Sequence, residues 1–596
     1  MSSPILSRRD LDFLLYEWLD VAALTARPRF SEHSKDTFDA VIDLGADIAT
    51  KRFRPHNKKS DTNEPMMRPD GTVELIPEIK DALDAFGEAG LVAATFDEAL
   101  GGLQLPTAVA RASLLWFQAA NAGTSAYPVL TIANANLLAE HASASQIDTY
   151  LRPMLEGRFF GTMCLSEPHA GSSLTDVTTK ARPAGDGTYR VTGTKMWITG
   201  GDHELTENIV HLVLAKVPGG GPGVHGLSLF IVPKYLPDGT RNDVTLVSLN
   251  HKMGNRGATN ALLNFGDGTY PVSDEAGAIG YLVGDEHRGL TYMFHMMNEV
   301  RIDVGLVATA VGYTGFLQAL EYAKVRTQGR KTGEKNPSSH PVPLIEHTDV
   351  KRMLLAQKSY VEGALALGLY CSLLVDEQQT ADTHEQRTRA TLLLDVLTPI
   401  SKSWPAQWCL EANSLAIQVH GGYGYTRDYD VEQLYRDNRL NAIHEGTHGI
   451  QGLDLLGRKV VMQEGAGLQL LVDTIGQTIA RVDESRAAAD TAGYAKELGA
   501  AVERLTAVTS TLWSANDVAV TLANSSIYLE AAGHVVLAWI WLEQLLATDG
   551  KDGDFYNGKR AAAQYFYHYE LPKTAPQFDL LSSLDRTTVD VRPDWF

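Results

Sequence analysis

The sequence predicts an α+β multidomain protein: an N-terminal helical domain, a middle β-barrel or sandwich domain, a four-helix bundle, and an additional C-terminal helical domain. Three observations predict it. A chain of 596 residues is too long to enclose one hydrophobic core. Apolar periodicity changes from the helical to the alternating kind near Gly161 and returns to the helical kind after Gly289. A further set of apolar helices follows the glycine-punctuated stretch around Gly457. The boundaries drawn from these changes are 1–158, 159–284, 285–459 and 460–596.

From Leu11 to Leu155 the pattern is helical, with 3.6-type spacing in Phe38–Phe53, Pro77–Gly90, Thr107–Ala122 and Val129–His141. Residues Arg54 to Thr72 are polar and rich in Pro, Asn and Asp, which predicts a loop. Short β-branched runs follow at Gly161–Ser166, Tyr189–Thr194, Ile209–Lys216, Gly226–Val232, Asp243–Leu249 and Ala261–Phe265. Turn signals such as Gly185-Asp186-Gly187 and Pro237-Asp238-Gly239 separate them. Long helices with wide apolar faces are expected at Leu290–Arg326, Thr348–Glu377, Thr383–Ala416 and Asp430–Asn441. Beyond Gly457 the expected helices are Leu468–Arg486, Tyr494–Ser514, Val518–Leu546 and Phe555–Tyr569, before a Pro- and Asp-rich tail.

Composition narrows the function classes. The formal net charge of −20 argues against nucleic-acid binding, although a phosphorylated ligand needs only a local group of cations or helix N-termini. Three widely spaced cysteines, Cys164, Cys371 and Cys409, suit a reducing compartment and exclude a disulfide framework. Residues Met1 to Arg29 carry Asp10, Asp12, Glu17 and Asp20 and no signal-type apolar core. Two apolar helices contain central charges, Asp303 in one and Glu530, His534 and Glu543 in the other. Each charge costs roughly 2.5–3.5 kcal/mol in a bilayer, so no integral membrane segment is expected. A soluble cytoplasmic protein is the expectation.

The chain is organised around Ile443-His444-Glu445-Gly446-Thr447-His448. Two chemistries could use this stretch. One is a zinc hydrolase with His444 and His448 as ligands and Glu445 activating water. That motif needs a helix to bring both histidines onto one face, and Gly446 and Thr447 are poor helix formers there. Gln451 and Asp454 also stand where a metzincin extension requires glycine and histidine, so no metal is expected. The other chemistry is proton abstraction by a lone carboxylate beside a flavin.

Four further stretches bear on that second chemistry, and each alone reads equally as structure. Ser166-Glu167-Pro168-His169-Ala170-Gly171-Ser172 and Lys195-Met196-Trp197-Ile198-Thr199-Gly200-Gly201 each follow a strand and offer hydroxyls, N–H groups and an indole to a planar heterocycle. Their bland reading is two turns with a buried tryptophan. Arg326-Thr327-Gln328-Gly329-Arg330-Lys331 closes a helix with three cations suited to a diphosphate, or simply to the helix dipole. Gln418-Val419-His420-Gly421-Gly422-Tyr423-Gly424 is a loop through which backbone could approach a phosphate, or a helix cap.

Taken in this order, the motifs resemble the acyl-CoA dehydrogenase family, from about Leu75 to Lys459. The C-terminal extension resembles the longer members, including very-long-chain enzymes and bacterial methylmercaptopropionyl-CoA dehydrogenases. The resemblance implies FAD as cofactor, an acyl-CoA as substrate and an electron-transferring flavoprotein as electron acceptor. It implies that Met163, Leu165, Ser166, Trp197 and Thr199 contact the flavin, and that Ser172 touches the diphosphate or CoA. Arg326, Gln328, Gln418 and Gly422 would hold the FAD of a neighbouring subunit, which implies a homo-oligomer, taken as a dimer, and Thr447 would also touch FAD. Glu445 would be the base, with Arg301 buried beside it, and Asn298, Arg301, His444 and Gly446 would line the substrate site. The α-proton would leave to Glu445 and the β-hydrogen to the flavin, giving a trans-2-enoyl-CoA, as in fatty-acid β-oxidation. Val300 stands where some members carry an alternative base, and His444 replaces the commoner tyrosine. Medium- to long-chain acyl groups are the expected substrates. A methylmercaptopropionyl-CoA-type dehydrogenase and an acyl-CoA oxidase share this fold and base. A flavin-free interaction protein would leave Glu445 incidental.

Overall fold

The computed structural model describes residues 5–484 and 489–596. The chain forms two compact units, one from Asp36–Leu105 and Trp116–Val300, the other from residues through Lys35, Pro106–Leu115 and Arg301–Phe596. Residues up to Lys35 therefore gather with the C-terminal helices, whereas the sequence pattern grouped them with the helices up to residue 158.

The first unit contains helices α1 (Lys35–Ile48), α2 (Pro77–Glu88), the end of α3 (Thr107–Ala120) from Trp116 onward, and α4 (Ala122–His141). The expected loop at 54–72 holds instead a short helix, Asn57–Thr62, and a small hairpin, Met66–Met67 with Val73–Glu74. It buries the polar His56, Ser60 and Asp61 and leaves Met66 and Met67 exposed, so no apolar stripe marks it in the sequence. Asn121 caps α4 by accepting a bond from the Thr124 N–H (3.0 Å). From α4, Asn134 Nδ2 donates to the Thr162 carbonyl at 2.9 Å, and Tyr127 Oη accepts from the Thr259 N–H at 2.9 Å.

These bonds fix the helix to a sheet of β1 (Phe159–Cys164), β2 (Lys180–Pro183), β3 (Tyr189–Thr199), β4 (Asn208–Lys216), β5 (Leu227–Pro233), β6 (Val244–Leu249), β7 (Asn260–Phe265) and β8 (Ala278–Leu282). The strand order is β8-β5-β4-β2-β3-β7-β6, with β1 alongside β4 in parallel. Pairing of β8 with β3 as well as β5 closes part of the sheet into a barrel around Val191, Val213, Phe230, Val232 and Ala278. Strands β2 and β8 were not expected. In β2 only Ala181 is buried among Lys180, Arg182 and Pro183. In β8, Gly280 interrupts the apolar run because a Cβ there would lie 2.8 Å from Val191 Cγ2.

The second unit is helical. Helices α5 (Gly289–Val325), α6 (Thr348–Thr380), α7 (His384–His420) and α8 (Val431–Asn438) carry the bundle. Within this unit Gly305 of α5 lets the Ser401 carbonyl of α7 pass where a Cβ would be 2.0 Å away. Helix α9 (His448–Asp454) follows, then α10 (Ala466–Glu484), α11 (Ala489–Ser514), α12 (Ser525–Ala547), α13 (Asp554–Tyr565) and α14 (Thr574–Ser582). The expected helix ending at Arg486 runs to Glu484, and Arg486 lies outside the described residues. The expected helix Val518–Leu546 is two, broken at Asn524, with Asp517 capping the first. Helix α14 lies in what reads as a tail, because Pro576 sits in its first turn.

Helices α5 and α12 are long and apolar enough to cross a membrane, but most of each is buried inside the protein. Deep in this unit the Lys559 ammonium pairs with Asp10 and, at 3.0 Å, with Glu362, all three side chains being buried. Tyr313 donates to Asp10 (3.0 Å) and Lys358 pairs with Glu362. This charge cluster joins the N-terminal segment, α6 and α13.

Candidate active site

In the helical unit, the stretch Ile443–Thr447 is a turn ahead of α9. Thr447 caps that helix, its hydroxyl accepting from the Ile450 N–H at 3.4 Å. Glu445 has φ +53° and Gly446 φ +94°, so two successive residues adopt left-handed backbone. For a glutamate this conformation costs roughly 1–2 kcal/mol, and the surroundings hold it. Gln451 Nε2 donates to the Glu445 carbonyl at 3.0 Å, and Lys402 Nζ donates to the Gly446 carbonyl at 2.6 Å. A Cβ on Gly446 would stand 2.6 Å from Gln451 Nε2.

The Glu445 carboxylate oxygen Oε2 is buried and has no hydrogen-bond partner among the described residues. Burial raises the proton affinity of this carboxyl above the ordinary carboxylate range, with Lys402 and Arg301 acting against it. Arg301, buried on α5, donates to Asp454 Oδ2 at 2.9 Å, while Arg458 holds the other Asp454 oxygen at 2.8 Å. Arg301 Nε, also buried, has no partner among the described residues.

His444 is pushed down to about 3 by burial and by Lys402, so its ring is neutral. Its Nε2 lies 3.0 Å from Asn441 Oδ1, at the end of a buried amide chain. Asn441 donates to Asn438 (2.9 Å), Asn438 to Asn413 (2.7 Å), and Asn413 to the Val311 carbonyl (3.1 Å). Burial and Lys402 also draw His448 down to about 4, and its Nδ1 meets the Ser403 hydroxyl. The left-handed pair between the two histidines keeps them off a shared helical face, and each is committed elsewhere. The geometry is that of a held carboxylate, not of a zinc ligand pair.

In the β unit, strand alternation sorts the expected flavin contacts onto one side. Cys164 and Ile198 point into the core, while Met163, Leu165, Trp197 and Thr199 face the other way. Residues Lys195–Thr199, expected as a loop, lie within β3, whose pairing with β7 slips between Lys195 and Ile198. At this bulge Trp197 has φ +66° and its side chain is 60% exposed, which removes the reading of a buried core tryptophan.

The adjacent loop is locked from beneath. Lys195, fully buried, donates to the Leu165 carbonyl (2.9 Å) and to Glu167 (3.1 Å). Burial would raise the Glu167 carboxyl, but Thr179, Lys195 and the backbone N–H groups of Thr178 and Thr179 hold it at about 2. Met196 N–H donates to the Ser166 carbonyl (2.9 Å), and Thr199 Oγ1 accepts from Asn260 (3.1 Å). Ser172 stands exposed beyond this anchor, and Asn298 is half-buried on α5.

A third group lies on the surface of the helical unit. The Arg326 guanidinium is 5.7 Å from the Tyr423 ring centre, which brings the Arg326–Gln328 segment beside the turn containing Gly422. Gln418, expected in a loop, belongs to the last turn of α7. A Cβ at Gly421 or Gly422 would meet nothing within 4 Å, so the turn is open to an incoming group.

Lys402, Gln451 and Asp454 escaped the sequence reading as parts of this site. The available signal for the first is that Lys402 is the one lysine or arginine in the long stretch between Arg389 and Arg427. In the sequence Asp454 stands out only as a departure from a zinc motif.

Sequence models for the acyl-CoA dehydrogenase N-terminal, middle and C-terminal domains match residues 39–158, 162–267 and 287–460, and one for an acetyl-CoA dehydrogenase C-terminal-like domain matches 471–592. The chain belongs to the acyl-CoA dehydrogenase family and is an FAD-dependent oxidoreductase. It is 34% identical to the 3-methylmercaptopropionyl-CoA dehydrogenase of Ruegeria pomeroyi, over 94% of either chain. It is 31% identical to the broad-specificity linear acyl-CoA dehydrogenase FadE5 of Mycobacterium tuberculosis, over 98% of either chain. An acyl-CoA dehydrogenase from Bacillus anthracis, solved with FAD, shares the fold with a TM-score of 0.72 at 19% identity, over 98% of this chain and 95% of that one. The residues present fit a flavin: an exposed indole on a bulged strand, hydroxyls beside it, and a separate cationic and glycine-rich turn suited to phosphate.

Proposed function

We propose that Glu445 is the base that removes the α-proton of a saturated, straight-chain acyl-CoA, and that the substrates extend into the medium- and long-chain range. The observation that carries the assignment is the buried, unpartnered Glu445 Oε2 with a raised proton affinity. A base of this kind is stronger than a solvated carboxylate, and Lys402 and Arg301 favour its ionised form. Its ionised form is the active one, so the rate of substrate-driven reduction rises with pH through a value above that of an ordinary carboxylate. His444 and Gly446 line the substrate beside it, Asn298 contacts CoA, and Arg301 keeps the carboxylate oriented.

When bound, FAD supplies the two-electron acceptor for the β-hydrogen. Met163, Leu165, Ser166, Trp197 and Thr199 hold its ring, Ser172 and Thr447 its remaining polar groups. Arg326, Gln328, Gln418 and Gly422 serve a second copy of the chain, in a homodimer. The open glycine turn beside Arg326 supports that assignment. The reaction belongs to fatty-acid β-oxidation in the cytoplasm, where three buried free thiols are at home.

Likeness to a broad-specificity linear dehydrogenase supports the wide range of chain length. A short sulfur-containing thioester is the second reading, favoured by the 34% identity with the methylmercaptopropionyl-CoA enzyme. Anaerobic titration of the yellow protein with butyryl-, octanoyl-, palmitoyl- and 3-methylmercaptopropionyl-CoA separates them. Bleaching by octanoyl- and palmitoyl-CoA is expected, and bleaching by the sulfur thioester alone would overturn the long-chain reading.

The electron acceptor is an electron-transferring flavoprotein that docks against the exposed Trp197. Trp197→Ala should slow reoxidation by that acceptor at least about tenfold, and by more than it slows acyl-CoA reduction, as loss of an aromatic anchor does. Stopped-flow absorbance reads both half-reactions. Rapid reoxidation by oxygen, with stoichiometric peroxide, would instead make the enzyme an oxidase.

A further inference from the structure

Lys402 is a fully buried cation in the middle of α7, one residue before the serine that meets His448. One of its three N–H donors is given to the Gly446 carbonyl at 2.6 Å. That carbonyl belongs to the left-handed turn, directly after Glu445, and the Glu445 carbonyl on the other side is held by Gln451. The turn is therefore gripped at successive peptide groups from α7 and α9. Its strained backbone is over-determined, as residues in such conformations must be to persist.

A buried lysine needs a reason, because removing an ammonium from water is costly unless a partner receives it. No carboxylate is within ion-pair distance of Lys402 among the described residues, and a neutral carbonyl is its hydrogen-bond partner. The compensating charge is Glu445, which interacts with it through a low-dielectric interior. The other titratable or charged groups facing Lys402 are Arg301 on α5, whose Nη1 is committed to Asp454, and the neutral rings of His444 and His448.

We propose that Lys402 is a positioning residue for the base: it fixes the Glu445–Gly446 turn through the Gly446 carbonyl and holds its positive charge where it acts on the Glu445 carboxylate. The inference rests on the assignment of Glu445 as the base. Burial draws Lys402 itself down to about 8, with Glu445 opposing that shift, so the ammonium is mainly protonated at pH 7. Its positive charge favours the Glu445 anion. Removing it raises the proton affinity of Glu445, and the acid limb of the rate profile moves to higher pH.

The experiment is single-turnover reduction of the holoenzyme by octanoyl-CoA between pH 5.5 and 9.5, in Lys402→Gln, Lys402→Met and Lys402→Arg. Gln removes the charge and retains a donor, Met removes both, and Arg retains both. In Lys402→Gln the acid limb should move up by about one pH unit or more, lowering the rate about tenfold on that limb and leaving it within about threefold at pH 9. Lys402→Arg should return the limb toward that of the natural enzyme. Lys402→Met should show the same displacement with a further fall at every pH. An unmoved limb in both Gln and Met variants, whatever their rates, would overturn the proposal. Should a variant fail to retain FAD, the remaining charge-removing variant decides by the same displacement. If both lose FAD while Arg retains it, the role is structural support and the proposal fails. Glu445→Gln, run beside them, separates the two ideas: normal reduction by that variant would remove Glu445 as the base, whereas an inert Glu445→Gln with an unmoved Lys402→Gln limb would remove only Lys402.

Discussion

Glu445→Gln is expected to give a folded, yellow protein whose flavin is no longer bleached by acyl-CoA. The amide preserves volume and can occupy the same left-handed turn, so the Gln451 and Lys402 bonds to the turn's carbonyls remain. What disappears is an oxygen able to take a proton. General-base catalysis contributes typically about 10²–10⁴-fold, so reduction should slow by at least about 100-fold. FAD content and acyl-CoA affinity should be close to normal. Anaerobic stopped-flow absorbance measures the first quantity, and spectral perturbation of the bound flavin by substrate measures the second. Loss of FAD along with activity would point to collapse of the turn and would not count in favour of Glu445 as base.

The second large effect concerns stability. Lys559→Met leaves Asp10 and Glu362 facing one another without the shared ammonium between them. Breaking a buried ion pair by removing one partner costs about 3–5 kcal/mol, because the remaining charges are uncompensated. Two nearby groups soften the loss: Lys358 still pairs with Glu362, and Tyr313 still donates to Asp10. Thermal unfolding followed by circular dichroism should show an early transition of the helical unit. Adding Asp10→Asn and Glu362→Gln to Lys559→Met should restore much of the stability, since the anions that need the ammonium are then gone. A single variant as stable as the natural chain would mean that water reaches this cluster.

Much of this architecture is written in residue order. Long helices such as α6 and α7 announce themselves because wide apolar faces recur over many turns. Strands β3, β4 and β7 do so through β-branched runs between turns. Strand β2 is silent for a physical reason: it buries Ala181 alone, so its other side chains carry no hydrophobic pattern. The split at Asn524 is equally hard to read, because apolar residues continue on both sides of it.

Within the site, Glu445 is legible because a carboxylate before Gly-Thr belongs to a recognisable motif. Lys402 is not, since its bonded partner is a backbone carbonyl far along the chain, and every residue has a carbonyl. The exposure of Trp197 is also a property of pairing: it follows from a slip against β7 that neither strand displays alone.

The Asp10–Lys559 contact has a consequence for how the chain is made. A ribosome adds residues from the N-terminus at about 5–20 per second, so Asp10 emerges roughly half a minute to two minutes before Lys559. Throughout that interval the carboxylate has no ammonium to meet, and the first helical turns have nowhere to bury Leu11, Phe13 and Leu14. The N-terminal segment must wait in contact with water or a chaperone, and its docking is among the last events of folding. Emergence of α13, more than the birth of the N-terminal turns, sets when this unit becomes complete.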